Sequence, residues 1–380
     1  MSGIVASDDV GEHKRKTLDR FGFILETSRG NKQTSNAMSS VAVFLENKRE
    51  RKWCQMLGDY EHAESSTTEH FSKVRRQQYA MFKRRVRKGI PNAVRSRAWH
   101  ILSAADECKK KSAMGYADHL DKVRKEFSPD SEFRRSREGH EATQKSPKSV
   151  KYQWDQVIAV DLERTFPNHV MFVGDQSLHT LRALQRILRA YGMCNPDVGY
   201  TQGMNFLAGM FLTYMREEQV FWVLTAAMEN PLYHLGDLYK PGTPEVPLVW
   251  HVMEKLTRKY LPKLSKHFEQ EGVLPSMYLT EWVVTMYTRS FPFDFVVRIW
   301  DIFFHEGWKI FYRVALGLLK HTQDSLLKES LEGIMQIFRS LPASIDGDKV
   351  LHVAHSIPLR RAELGHLIDS YKGGGGEKHI

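Results

Sequence analysis

Apolar residues along most of this chain recur every three or four positions, the spacing that places them on one face of an α-helix. In NAVRSRAWHILSAAD, Val94, Ala98, Ile101 and Leu102 share such a face, with Trp99 beside them. The same period runs from Trp154 to about Tyr371, through REEQVFWVLTAAME, VWHVMEKLTRKYLPKLSKHF, YLTEWVVTMYTRS, FDFVVRIWDIFF, IFYRVALGLLKHTQDSLL, LEGIMQIFRSL and RAELGHLIDSY. Strict alternation is scarce, and no Asn-Gly or Asp-Gly pair sits between β-branched runs as a hairpin would require. Asp346-Gly347 precedes the helical DKVLHVAHSI and reads as a turn between helices. The expected fold class is all-α.

Polar stretches interrupt this pattern. Residues 1–40 are rich in Ser, Lys, Asp and Gly and are expected to be mostly disordered. The exception is Phe21-Gly22-Phe23-Ile24-Leu25, an apolar island suited to docking on a folded body. Coherent structure is expected from about Val41, where Val43, Phe44, Trp53 and Met56 open a basic helical lead-in over 41–87. Within it, Lys73, Arg75, Arg76, Lys83, Arg84, Arg85, Arg87 and Lys88 are punctuated by Val74, Tyr79, Phe82 and Val86. That is the pattern of an amphipathic helix with a solvated charged face. It must stop near Gly89-Ile90-Pro91, because proline restricts its predecessor and lacks a backbone N–H. From about 112 to 151 the chain turns strongly polar and reads as a long insertion loop, partly ordered at best. Residues 373–380 read as a flexible tail.

Hydrophobic residues make up 42% of the sequence and charged residues 26%, ordinary for a globular protein with a sizeable core. Lys and Arg outnumber Asp and Glu by 55 to 45, a formal net charge of +10. The excess favours an anionic partner without choosing its kind. No DNA- or RNA-binding motif accompanies it, and the aromatics between Lys73 and Lys88 follow a helix face rather than a stacking platform. Nucleic acid is therefore not expected, whereas an accessory contact with an anionic membrane through Lys73–Lys88 stays open. Cys54, Cys108 and Cys194 form no C-x-x-C pair, which disfavours a disulfide framework and a structural zinc site and suits a reducing compartment. No apolar run approaches the ~18–20 residues needed to span a bilayer. The polar MSGIVASDDVGEHKRK lacks the core of a secretory signal, so a cytoplasmic location is expected.

The motifs of self-contained catalysts are missing. There is no G-x-x-x-x-G-K-S/T loop, no G-x-G-x-x-G after a strand, no H-E-x-x-H and no G-x-S-x-G. Catalysis would have to use ordinary polar side chains offered to a cofactor held by another molecule.

Two segments carry such side chains. In IAVDLERTFP, Ile158, Asp161 and Arg164 fall at i, i+3 and i+6, so Asp161 can pair with Arg164 on one side of a helix. Pro167 ends that helix and leaves Arg164 in its last turn, where the helix dipole favours a cation. In NPDVGYTQGMNF, the Asn195-Pro196-Asp197 turn leads into the apolar FLAGMFLTYM, and Gly199 and Gly203 flank Tyr200 and Gln202. Gln202 thus sits at a loop-to-helix corner. Taken singly, the first segment reads as a surface ion pair and the second as a capped loop.

Taken together, and in their order along the chain, these segments resemble the TBC domain of Rab GTPase-activating proteins. The family's opening G-I-P…R-x-x-x-W stands here as Gly89, Ile90, Pro91, Arg95 and Trp99. Its I-x-x-D-x-x-R stands as Ile158, Asp161 and Arg164, and its Y-x-Q as Tyr200 and Gln202. The C-terminal half, including Trp300-Asp301, is similar as well. The resemblance extends from about Lys88 to Leu319, with a shorter likeness upstream in DRFGFI and NKRERKWCQML to one subgroup of the family.

The resemblance implies two packed helical subdomains over 88–320, followed by C-terminal helices over 321–372. It also implies a dual-finger mechanism in which Arg164 stabilises transition-state charge and Gln202 orients the attacking water. Asp161 would hold Arg164, while Tyr200 and Asn205 shape the Gln202 loop and Ile158 and Thr165 support the arginine's helix. Gly89, Pro91, Arg95, Trp99, Trp300 and Asp301 are expected to be architectural, and His169 reads as a core or solvent-facing histidine, with a contact to the GTPase as the lesser alternative. The implied partner is a GTP-bound Rab; GTP and Mg²⁺ belong to it, so no cofactor of the chain's own is expected. The chain would be an enzyme activator, monomeric, cytoplasmic or peripheral at endomembranes. The alternative is a TBC-fold effector or scaffold that binds a Rab without catalysis.

Overall fold

The computed structural model describes residues 18–25, 40–64, 79–127, 150–174 and 177–373. Among them, regular structure is helical throughout, and β pairing is confined to two isolated bridges, Leu18 with Ile24 and Phe23 with His169. The tail beyond Gly373, most of 1–40 and the basic residues 73–78 lie outside the described residues.

Helix α1 (Ser40–Glu64) buries Trp53, Met56 and Leu57, and the rings of Trp53 and Tyr60 meet Phe82 of α2 (79–87) at 6.0 and 5.8 Å. Helix α2 stops before Gly89-Ile90-Pro91, as the proline requires, and α3 (Asn92–Ser103) starts directly after Pro91. Val94, Ala98 and Trp99 of α3 are buried, whereas Ile101 and Leu102 are only partly so.

Helix α4 (Ala105–Lys111) is followed by α5 (Tyr116–Glu126), so the span 112–151 read as a partly ordered loop is helical over 116–126. Tyr116, His119 and Val123 lie at i, i+3 and i+7 and are all buried, so a narrow apolar stripe sustains a helix in a polar stretch. Residues 128–149 are outside the described set. Helix α6 (Val150–Glu163), α7 (Ser177–Cys194), α8 (Met204–Leu212) and α9 (Glu217–Glu229) complete the first subdomain. Helix α7 is its hub, packing on α5, α6, α8 and α9. Every residue of α8 is buried.

The short α10 (Leu235–Tyr239) leads into α11 (Glu245–Tyr260), which packs on α12 (Pro262–Glu271), α13 (Pro275–Val284) and the last helix, α18 (Arg361–Gly373). Helix α14 (Phe293–Glu306) is buried almost all round and lies deep in the protein, between α3 and α15 (Trp308–Leu326). Helix α15 continues through position 320, where the sequence reading divides the domain from its C-terminal helices, so that boundary falls inside one helix. It also packs on α11, α16 (Leu331–Ser344) and α17 (Gly347–Ser356).

One buried polar cluster joins the two subdomains. The Asp301 carboxylate on α14 accepts from Arg95 Nε at 3.0 Å, Trp99 Nε1 at 2.8 Å and the Ile90 backbone N–H at 2.8 Å. Arg95 also donates to Ile90 O and Asn92 Oδ1. Trp300, fully buried, donates its indole N–H to Thr288 Oγ1 at 3.3 Å. A charge this deep persists only when its hydrogen bonds are complete, and here they draw Ile90, α3 and α14 together.

Candidate functional site

Helix α6 is anchored by Ile158, which is completely buried, and presents Asp161 to the interior at its C-terminal end. Arg164 lies one residue beyond the last helical residue, Glu163, with its side chain 37% exposed and ion-paired to Asp161. The chain leaves the helix through Phe166, which adopts a left-handed φ of 47°, so the break precedes Pro167. Thr165 Oγ1 donates back to the Asp161 carbonyl at 2.7 Å.

The second segment arrives against this end. The Tyr200 hydroxyl donates to the Asp161 carboxylate and lies 3.3 Å from Asn205 Oδ1. Burial, and then the bond to Asp161, push the phenol well above its ordinary range, so it remains a donor at neutral pH. Asn205, with no exposed surface, donates from Nδ2 to Thr165 Oγ1 at 2.9 Å and to the Asp161 carbonyl at 3.3 Å, while its Oδ1 accepts the Gly203 N–H at 3.2 Å. One buried set of hydrogen bonds therefore fixes the backbone on either side of Arg164 and of Gln202. Gln202 itself is exposed, immediately before Gly203 and α8. Gly203 has φ 112°, and a Cβ there would lie 2.5 Å from the Val284 carbonyl oxygen; only glycine lets the loop turn this close to α13.

Arg164 opens onto a groove of about 980 Å³ whose other walls include Arg20, Phe23, Phe206, Arg289 and Phe293. The Arg289 guanidinium stands 5.9 Å from the centroid of the Phe206 ring. On α6, Val157 and Val160 are 40% and 64% exposed and precede Arg164 by seven and four residues. Neither valine stood out in the sequence, where both pass for core positions. Arg20 and Arg289 were missed because no local pattern connects them to Arg164.

Arg95, Trp99, Trp300 and Asp301 are buried and hydrogen-bonded away from Arg164 and Gln202. Gly89 and Pro91 stand at the α2–α3 turn that Asp301 holds through Ile90. The basic lead-in is different in part from its reading as a solvated face. Arg84 and Lys88 are exposed, but Arg87 turns inward and grips Glu306 at 2.5 and 2.9 Å. Burial pushes the Glu306 carboxyl up, yet the bonds from Arg87 and Lys309 outweigh it and hold the carboxyl down at about 2. No helix among the described residues is long and apolar enough to cross a membrane.

Residues 92–327 match the Rab-GTPase-TBC domain family. Carabin from Mus musculus is 30% identical over 359 residues, covering 93% of this chain and 70% of Carabin. TBC1 domain family member 10B from Homo sapiens is 31% identical over 353 residues, covering 92% of this chain but 38% of that protein. The crystal structure of the Chlamydomonas flagellar RabGAP TBC domain matches with a TM-score of 0.61 at 26% identity, over 89% of this chain and 99% of that one.

Proposed function

The chain belongs to the Rab-GTPase-TBC domain family, and on that premise we propose that it accelerates GTP hydrolysis on a Rab-type GTPase by supplying Arg164 and Gln202 in trans. The observation that carries this reading is the Asp161–Tyr200–Asn205 network, which sets the backbone beside both side chains while leaving both at the surface. A structural ion pair alone would give no reason to build the glutamine loop onto the same carboxylate.

The chemistry follows from the charge that develops in the reaction. As the β–γ bond breaks, negative charge grows on the phosphoryl oxygens and the leaving oxygen while water attacks in line. The Arg164 guanidinium enters from outside, displaces water and stabilises that charge where the local dielectric is low. The Gln202 amide accepts from the attacking water and donates toward the phosphate, which fixes the line of attack. An arginine finger supplied in trans is worth roughly 10³–10⁵ in rate. Asp161 holds the guanidinium until the GTPase arrives. Val157 and Val160 give the incoming protein an apolar surface next to the finger. GTP and Mg²⁺ come with the GTPase, and the activity places the protein in vesicle traffic, in the cytoplasm or at the surface of endomembranes.

The test separates activation from binding. A double Arg164→Ala/Gln202→Ala protein should lose acceleration of hydrolysis yet still bind a GTP-loaded Rab. Unchanged hydrolysis would remove the finger assignment, and a wild-type protein that binds without accelerating would be an effector or scaffold.

A further inference from the structure

Arg164 is followed, through residue 174, by a stretch that belongs to no helix and passes through the left-handed Phe166. On one side it is tied down by Thr165 and Asn205. On the other it is covered by residues 18–25, which precede the family match at 92–327 and belong to no helix. This short strap is tightly specified. The Asp19 carboxylate accepts the N–H groups of Phe21 and Phe23 at 2.8 and 2.9 Å, and Gly22 supplies the φ of 95° that the turn needs. A Cβ on Gly22 would lie 2.9 Å from His169 Nε2.

Three hydrogen bonds then join the strap to the stretch after Arg164. Ile24 N–H donates to Asn168 O at 2.8 Å, and Val170 N–H donates to Gly22 O at 2.9 Å. His169 Nε2 donates to Phe21 O at 2.8 Å while its Nδ1 accepts the Met171 N–H at 3.1 Å. These partners define a neutral imidazole with its proton on Nε2, consistent with the burial that lowers its pKa. The Phe23 ring lies 4.8 Å from His169, 6.1 Å from Phe166 and 5.1 Å from Phe293, and Phe21 lies 5.5 Å from Phe293. Phe293 is the first residue of α14 and lines the same groove as Arg164. The strap therefore spans from the arginine's own loop to the second subdomain at the point where a partner would enter.

We infer that residues 18–25 are a positioning clamp for Arg164: Asp19, Gly22, Phe23 and His169 hold the loop after the finger in one conformation, and the finger's reach depends on them. The inference rests on the proposed GTPase activation, which it extends to a segment outside the matched domain. A guanidinium carried by an exposed stretch with a left-handed residue in it would otherwise sample many positions. Displacement by about 1 Å from productive geometry costs on the order of 100-fold in rate.

The experiment uses the full chain with Gly22→Ala, Asp19→Ala or Phe23→Ala. Amide hydrogen exchange over 165–172 reports the loop, and single-turnover hydrolysis is followed on a GTP-loaded Rab that responds to wild type. Gly22→Ala is expected to raise exchange at Val170, to lower the maximal rate roughly 10–100-fold, and to leave the half-saturating concentration of GTPase and the melting of the helical body little changed. Asp19→Ala removes the two bonds to the Phe21 and Phe23 N–H groups and decides the matter should Phe23→Ala fail to fold. A full maximal rate in a variant whose Val170 exchange shows the strap released would overturn the clamp, as would a loss confined to the half-saturating concentration. Unchanged exchange in Gly22→Ala would overturn it without any GTPase. If no Rab responds to wild type, it is the activator reading that fails, and the exchange data still decide whether the strap holds the loop.

Discussion

The side-chain nitrogen of Asn205 donates to the hydroxyl of Thr165 at 2.9 Å, so the helix that follows Gln202 is bonded to the residue that follows Arg164. Two segments some forty residues apart in sequence are thereby held as one surface. Both ends of the contact are fully buried, and losing either partner leaves the other without its bond.

Asp161 is where this arrangement is most exposed to test. Asp161→Asn keeps the volume but removes the charge that holds Arg164, and the Tyr200 hydroxyl loses its carboxylate acceptor. Stability should fall by about 1–3 kcal/mol. Acceleration of hydrolysis should fall by roughly 10–100-fold, because the guanidinium is no longer placed. Urea unfolding and single-turnover kinetics on the same preparation check both; full acceleration with the expected loss of stability would assign Asp161 to folding alone.

The Arg95–Asp301 pair makes the opposite prediction. Arg95→Met leaves the Asp301 carboxylate buried without its cation at the junction of α3 and α14. Breaking a buried pair from one side costs about 3–5 kcal/mol. Hydrolysis per folded molecule should be unchanged, since neither Arg95 nor Asp301 lines the groove beside Arg164. Denaturant unfolding gives the first quantity, and rates normalised to the folded fraction give the second.

Acid should weaken the fold through two histidines beside Glu306. His305 is sandwiched near the rings of Tyr79 and Phe82, at 4.6 and 6.5 Å. Burial first, and then Lys83, Arg361 and Arg87, hold it at about 4 despite the opposing pull of Glu306. His355 is likewise held at about 4, by burial and then by Arg87, with Glu306 opposing. Both values lie below the unfolded value of about 6.5, so the unfolded chain takes up these protons first as pH falls. The stability is complete above about pH 6.5 and declines toward about pH 4, by at most about 3 kcal/mol per histidine. Melting measured across that range should show the slope, and His305→Phe, which keeps the ring contacts without the titration, should reduce it to the share left by His355.

Much of this fold was legible from period alone. The helices from α6 onward follow apolar residues at three- and four-residue spacing, and Pro91 marks the α2–α3 break. Helix α5 was hidden because its core-facing residues, Tyr116, His119 and Val123 with the partly buried Leu120, are spaced out by charged ones in a polar stretch. The pairing of Asp161 with Arg164 is local and could be read from spacing. Its extension to Asn205 and Thr165 is a tertiary contact that no local pattern carries. The docking of Phe21–Leu25 followed from an apolar island in a polar region, but its target did not, because His169 and Phe293 lie far along the chain. Arg87 read as a solvated charge for the same reason: its partner, Glu306, is on α14.

Single-turnover GTP hydrolysis should be followed across a panel of GTP-loaded Rab GTPases, with wild type beside Arg164→Ala and Gln202→Ala. Wild type should accelerate one or a few of them, and each substitution should reduce that acceleration by orders of magnitude, within the roughly 10³–10⁵ that a finger in trans supplies. Acceleration that survives both substitutions, or a panel in which Rabs bind and none is accelerated, would contradict the dual-finger mechanism.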